Sequence, residues 1–341
     1  MTRNQLKTLL DRFSDASILV VGDFFLDKYL VLDPVLTETS VETGLDAYQI
    51  VARRCSPGAV GTVVSNLHAL GVGTLYALTV LGEDGEGYEL GQGLEAIGVR
   101  PDYVIRTTDR FTPTYTKAMM RERGGEREIQ RLDVKNRSPL PTYLEDRVIA
   151  YLREAVERVQ AIVVGDQVKE RNCGVITDRV RETLAAIGRE RPELFILVDS
   201  RAHIDAFRDV VLKCNRREAT LALTPDHEGP VDRAEIERIG RALFTQTRRP
   251  VCITLSEEGL LLFDAAGCRH IPALAVSDPI DPVGAGDSTT AGLTAAICAG
   301  ATLDEAALIG NLTASITITQ LGTTGTASPE QLLRQFDKHP R

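Results

Sequence analysis

In this chain of 341 residues, the types and spacing best suited to chemistry lie in Asp281-Pro-Val-Gly-Ala-Gly-Asp287. Gly284, Ala285 and Gly286 form a turn with almost no side chain, directly before a run of helical character. Such a turn aims several backbone N–H groups at one point. The helix dipole adds positive potential there, which makes a cradle for a phosphate or an oxyanion. Asp287 falls in the first turn of that helix. A carboxylate beside a bound anion is a poor ligand, because like charges repel. It is well placed to accept the proton of a hydroxyl that attacks phosphorus. The plainer alternative is a helix-favouring acid after a glycine-rich turn.

Positioning such a site takes a scaffold, and its pattern is visible. Short runs rich in Val, Ile and Leu recur at 17–21, 74–80, 161–164, 195–198 and 251–255, as in parallel strands covered on both faces. Helical patterns lie between them at 61–70, 88–97, 142–159, 176–189 and 233–245, and two helices of small residues follow at 286–299 and 303–320. This alternation predicts an α/β fold with a doubly wound, mostly parallel sheet and helices on both faces. Two segments interrupt it. Residues 29–53 have no helical period, and 114–133 read as a β-hairpin turning at Arg-Glu-Arg-Gly-Gly-Glu, so both are expected to form a small β lid on one domain spanning 1–341.

Composition narrows the function. With 43% hydrophobic and 26% charged residues the chain is an ordinary globular protein. Its net charge of -9 disfavours nucleic acid and anionic membranes as partners. Six scattered cysteines without a CxxC pair suggest reduced thiols and neither a disulfide framework nor a zinc site. No run reaches membrane-span length, and the N-terminus lacks signal-peptide character, so the chain is expected in the cytoplasm.

The 281–287 stretch resembles the DTxGAGD signature of the ribokinase-like (PfkB) carbohydrate kinases, and other motifs follow in the family's order. Val21-Gly-Asp23-Phe-Phe-Leu-Asp27 resembles its first strand, Ser56-Pro-Gly58-Ala-Val-Gly-Thr62 its substrate loop, Asn215-Arg-Arg-Glu218 its N-x-x-E motif and Thr254-Leu-Ser256-Glu-Glu-Gly259 its nucleotide-side turn. Within the family, GDFFLDKY, TKAMMRERGGEREIQRLD and ITQLGTTGTAS are similar to the kinase half of the bifunctional heptose-7-phosphate kinase/adenylyltransferases, whose HxGH-type second half has no counterpart in this sequence.

The resemblance implies a role for each matched residue. Asp287 would be the general base and Gly284, Ala285 and Gly286 the anion hole. Asp23 and Asp27 would accept hydrogen bonds from a vicinal diol, with Gly58, Ala59, Thr62 and Asp166 around the acceptor. Lys117 and Arg131 on the lid would meet a phosphate already on the substrate. Asn215, Thr254, Ser256, Gly259 and Asn311 would line ATP, and Glu218 would hold the water shell of Mg2+. Backbone carbonyls beside Asp281 and Gly322 would take K+. Each has a structural alternative: strand-end turns for Asp23, Asp27 and Asp166, a capping box for Asn215 and Glu218, a satisfied helix residue for Asn311, and solvated charges for Lys117 and Arg131.

The departures fall unevenly. Ala59 replaces a glycine, Thr62 an asparagine, Ser256 a glycine and Pro282 a threonine, and Tyr is missing after Asp166. The phosphoryl-transfer end matches, whereas the sugar end is altered, so heptose 7-phosphate is expected to be a poor acceptor. The sequence thus implies an ATP-dependent kinase acting on a sugar or sugar phosphate, paired through its lid in a homodimer as many relatives are. A nucleoside or other polyol kinase, and a sugar or nucleotide sensor without turnover, are the competing readings. A dinucleotide oxidoreductase is excluded because neither Gly71-Val-Gly73 nor Gly91-Gln-Gly93 completes a GxGxxG between strand and helix.

Overall fold

The computed structural model describes residues 1–338. Its strands are β1 (Ser17–Gly22), β2 (Phe24–Leu32), β3 (Glu38–Thr39), β4 (Asp46–Ala47), β5 (Ile50–Ala59), β6 (Thr74–Gly82), β7 (Val99–Thr107), β8 (Thr114–Glu122) and β9 (Gly125–Val134). These are followed by β10 (Ala161–Asp166), β11 (Phe195–Ser200), β12 (Val211–Asn215), β13 (Val251–Thr254), β14 (Leu260–Asp264) and β15 (Gly267–Ile271). A nine-stranded sheet runs β15-β14-β13-β12-β11-β10-β1-β6-β7. It is parallel from β7 to β13, and β14 and β15 append antiparallel to one edge.

The alternation of side chains along β1 explains why helices must cover both faces. Ile18 and Val20 join a core with the helices Arg3–Asp11, Val60–Ala69, Ala285–Cys298 and Leu303–Thr317. Leu19 and Val21 point the other way, into a core with Thr142–Ala155, Asp178–Glu190 and Arg233–Thr247. The doubly wound sheet expected from the apolar runs is therefore present, and its C-terminal strand ends open on one side.

That side carries a second sheet, ordered β5-β2-β8-β9. β2 pairs antiparallel with β5 and parallel with β8, and β8 turns into β9 at Gly124, whose φ is 94°. The expected hairpin at 114–133 is thus found. The segment 29–53 contributes the end of β2, the short β3–β4 pair and the start of β5. Residues 56–59, read from sequence as a loop, are the end of β5. β7 was not anticipated either. Its Pro101 and alternating polar residues suit an edge strand, which is where it lies.

Candidate active site

Gly284 stands at the N-cap of the helix Ala285–Cys298 with φ 80° and ψ 0°, a left-handed conformation that a side chain would strain. No side chain caps this helix start; the Ala285 amide donates to the Pro282 carbonyl at 3.1 Å, which leaves the Gly286 and Asp287 amides as donors without a partner among the described residues. Asp281 turns its carboxylate back on its own loop and accepts from the Val283 amide at 3.1 Å. Thr62, 3% exposed, comes up against the turn from the helix Val60–Ala69. A Cβ on Gly284 would lie 3.5 Å from its methyl group. The turn thus presents backbone at a helix start with little side chain, and the segment expected to form the substrate loop touches it through Thr62.

Asp287 lies in the first turn of the helix and has no hydrogen-bond donor among the described residues. Burial, with Asp199 nearby, pushes its carboxyl up to about 7; Lys213 and Arg201 act in the opposite sense, and Glu218 adds to the rise. Asp199 sits near the C-terminal end of β11 and Lys213 inside β12, where Lys213 donates to Asp199 Oδ2 at 2.6 Å. Neither residue was singled out from sequence. The available signals were a charged residue inside the apolar strand Val-Leu-Lys-Cys, and an acid at a parallel strand's carboxyl end.

At the motif expected to meet nucleotide, Asn215 and Glu218 form a reciprocal capping box. Asn215 Oδ1 accepts from the Glu218 amide and Glu218 Oε2 from the Asn215 amide, both at 2.8 Å. Burial, then the neighbouring Asp199, raise Glu218 above the usual carboxylate range. Thr254 donates to the Cys214 carbonyl at 3.4 Å. Ser256 and Gly259 both take positive φ, 55° and 95°, around the turn that joins β13 to β14. Asn311 donates to the carbonyls of Ile271 and Pro272 at 3.1 and 3.2 Å, and so ties the last strand to the helix Leu303–Thr317.

The acceptor side differs most from the sequence expectation. Asp23 is 4% exposed, and its oxygens already accept three backbone amides, from Gln167 at 3.0 Å, Val168 at 3.1 Å and Val175 at 2.7 Å. Burial and the adjacent Asp166 nevertheless hold its carboxyl up at about 6. Asp166 is paired with Arg181 at 3.0 Å and accepts from Ser200 at 2.7 Å. Asp27 instead has no hydrogen-bond partner among the described residues. It lies against Gly58, where a side chain would collide with its carboxylate, and burial raises its carboxyl while Lys117 and Arg131 draw it down. Lys117 donates to the Tyr29 hydroxyl at 3.2 Å. Arg131 stacks 4.0 Å over Tyr115 and pairs with Asp133 at 2.6 Å. Ala59 holds φ 50° and ψ -124°, a region that favours glycine.

A cavity of 210 Å³ opens between the two sheets, lined by Asp23, Arg110, Tyr115, Arg131, Lys169 and Arg201 among others. Arg110 donates to the carbonyls of Ser138, Pro139 and Cys173. Lys169 and Arg201 form no ion pair among the described residues.

A family model described as "pfkB family carbohydrate kinase" matches residues 34–331. This chain belongs to the pfkB family of carbohydrate kinases. Among curated proteins, this pfkB kinase is 31% identical to the bifunctional protein HldE of Geobacter metallireducens over 337 residues, covering 98% of this chain and 65% of that protein. It is 32% identical to the HldE of Pelobacter propionicus over 344 residues, 98% of this chain and 66% of that one. The chain thus spans just under two thirds of the length of these relatives. Among solved structures it is similar in fold to Escherichia coli phosphofructokinase-2 in complex with potassium, with TM-score 0.72, 16% identity and coverage of 96% and 100% of the two chains. The Arabidopsis thaliana ribokinase complexed with ribose and ATP gives TM-score 0.66 and 17% identity over 94% and 98%. The family is one of carbohydrate kinases, enzymes that transfer a phosphoryl group to a sugar. No helix among the described residues is long and apolar enough to cross a membrane.

Proposed function

We propose that this kinase transfers the γ-phosphoryl group of ATP to a hydroxyl of a sugar phosphate, with Asp287 as general base and the 284–286 turn as anion hole. The observation that carries this reading is a donor-free carboxylate in the first turn of an uncapped helix, beside acidic and basic groups from β11, β12 and the helix Arg216–Leu223. The orphan amides receive the charge of the transferring group, and Asp287 takes the acceptor's proton as oxygen meets phosphorus.

Among the described residues there is no cluster of three acidic, His or Cys side chains placed to chelate a metal directly. Mg2+ would therefore arrive on phosphate oxygens, and Glu218 and Asp199 fit as acceptors for its water shell; it would spread the charge of the phosphates. Because the Asp281 carboxylate is turned inward, K+ near Asp281 and Gly322 would rest on backbone carbonyls. Lys169 and Arg201, free of ion pairs in the cavity wall, favour an acceptor that already carries an anionic group. Asp27, open beside Gly58, is the carboxylate best able to take a sugar diol.

The second sheet, from segments 29–53 and 114–133, serves as the lid. Its exposed Ile50, Leu132 and Val134 support pairing of two copies through this face. One kinase domain accounts for the fold through the helix Pro329–Lys338, while residues 339–341 lie outside the described ones. A cytoplasmic location fits this set of ligands.

The test is ADP release, measured against free and phosphorylated sugars and nucleosides, with and without K+. Turnover of a phosphorylated sugar at least tenfold above its free form supports the reading. Turnover confined to nucleosides, or none with any acceptor, overturns it.

A further inference from the structure

Lys169 and Arg201, two cations of the cavity wall, stand just past the ends of the neighbouring parallel strands β10 and β11. One hydrogen-bonded network holds the backbone of both. Asp166 and Ser200 are the last ladder pair of the two strands, and Ser200 Oγ donates to Asp166 Oδ2 at 2.7 Å. The Arg201 amide donates to the Asp166 carbonyl at 3.0 Å. The amide of half-buried His203 donates to Ser200 Oγ at 3.0 Å, and its ring Nε2 donates to the Lys169 carbonyl at 3.0 Å. Behind them Arg181, from the helix Asp178–Glu190, donates to Asp166 Oδ2 at 3.0 Å and is itself held by Asp178 at 2.9 Å. The chain of contacts is unbroken from Arg181 to Lys169.

Stability is a weak reason for this network. Asp166 and Arg181 are 2% and 5% exposed, and burying an ion pair costs about as much as the pair returns. What the network adds is a fixed spacing between two loops that leave the sheet separately, and His203 is the residue that joins them. Each loop carries a cation into the cavity wall, and neither Lys169 nor Arg201 is neutralised by a carboxylate among the described residues. An anion that gathers two cations must order them. When their backbones are set beforehand, only the side chains remain to be fixed, and binding tightens accordingly.

We propose that His203 is a positioning residue: by tying the Lys169 carbonyl to the Asp166–Ser200 pair, it sets Lys169 and Arg201 at the spacing that receives one anionic group of the acceptor. This rests on the reading of the acceptor as a phosphorylated sugar. It gives Asp166 a role that needs no contact with the sugar.

The test is kcat and KM for the best phosphorylated sugar and for its free form, in the wild type, H203F, H203Q, K169M and the H203F/K169M pair. H203F should raise KM for the phosphorylated acceptor about tenfold, the worth of one charge-assisted hydrogen bond, and leave kcat and the free sugar's KM near wild type. H203Q, whose amide can still donate to the Lys169 carbonyl, should stay near wild type. In the K169M background H203F should add less than about twofold, because the two residues act through one contact. A second readout needs no turnover. Inorganic phosphate titrated calorimetrically into the nucleotide-free protein should bind H203F about tenfold more weakly than wild type, the site counted being the one lost in K169M. S200A, which releases the His203 amide, carries the same expectations if H203F fails to fold. A free-sugar KM that rises as much as the phosphorylated one, or an H203F effect undiminished in K169M, overturns the proposal. Should the wild type show no preference for phosphorylated sugars, the acceptor reading fails instead. Phosphate binding then decides the role of His203, and no such binding, or equal affinity in H203F and wild type, overturns it as well.

Discussion

Asp287 and Asp23 are both carboxylates raised well above their usual range, to about 7 and about 6, though Asp23 is buried and Asp287 half-buried. They are opposite in kind. Asp23 is consumed by the scaffold, because three amides from the 167–175 segment donate to it. Asp287 receives no donor among the described residues and lies in the first turn of a helix that no side chain caps. A raised carboxyl alone therefore does not mark an available acid. What separates the two is whether the chain's own backbone already satisfies the oxygens.

The largest effect expected from that contrast is at Asp287. Asp287→Asn should lower turnover by about 10²–10⁴, the worth of a positioned general base, while nucleotide affinity holds or tightens slightly. Steady-state kinetics and nucleotide titration check this. The same variant has a pH signature in stability. A carboxyl whose folded pKa of about 7 lies above its unfolded value contributes stability that is present below about pH 4 and lost as pH rises through 7. Chemical denaturation should therefore show D287N gaining on wild type between pH 5 and pH 8.

Asp23→Ala should invert this outcome. Three amides lose their acceptor, so folding stability should fall by about 3 kcal/mol, at about 1 kcal/mol or more for each unsatisfied group. The KM for the acceptor should change little in whatever protein remains folded. A large rise in KM without a loss of stability would return Asp23 to the sugar site.

A smaller effect lies at Ala59, whose φ of 50° and ψ of -124° a glycine would adopt without strain. Ala59→Gly should stabilise the fold by about 1 kcal/mol, part of the relief being offset by the freer unfolded chain. Combined with Thr62→Asn, it should shift acceptor preference toward heptose 7-phosphate, read as the ratio of kcat/KM for that sugar to that for the best acceptor. Wild-type use of heptose 7-phosphate at about 10⁴ M⁻¹s⁻¹ would overturn this reading of the loop.

The smallest effect is at Glu218. Its capping box survives in Glu218→Gln, because an amide oxygen can still accept from the Asn215 amide. Stability should therefore hold, while the Mg2+ concentration for half-maximal activity rises. An unchanged Mg2+ requirement would leave Glu218 as a cap alone.

The sequence by itself determined the layered α/β architecture, since Val- and Ile-rich runs of strand length have no other way to be covered on both faces. It also determined the turn before the helix Ala285–Cys298, because Gly284 can take the left-handed conformation found there. The hairpin of the second sheet was legible in its turn residues, while the edge strand β7 was hidden by Pro101 and polar alternation. Which carboxylates remain available was decided by the tertiary structure alone. Asp23 and Asp27 stand four residues apart and look alike in sequence. Only the path of the 167–175 segment, brought back over β1 from far along the chain, places donors on one and leaves the other open beside Gly58. The pairing of Lys213 with Asp199 arises the same way, from the register of two parallel strands that places them side by side. Charge and hydrogen-bond satisfaction depend on distance in space, and spacing along a chain reports it only within a single helix or turn.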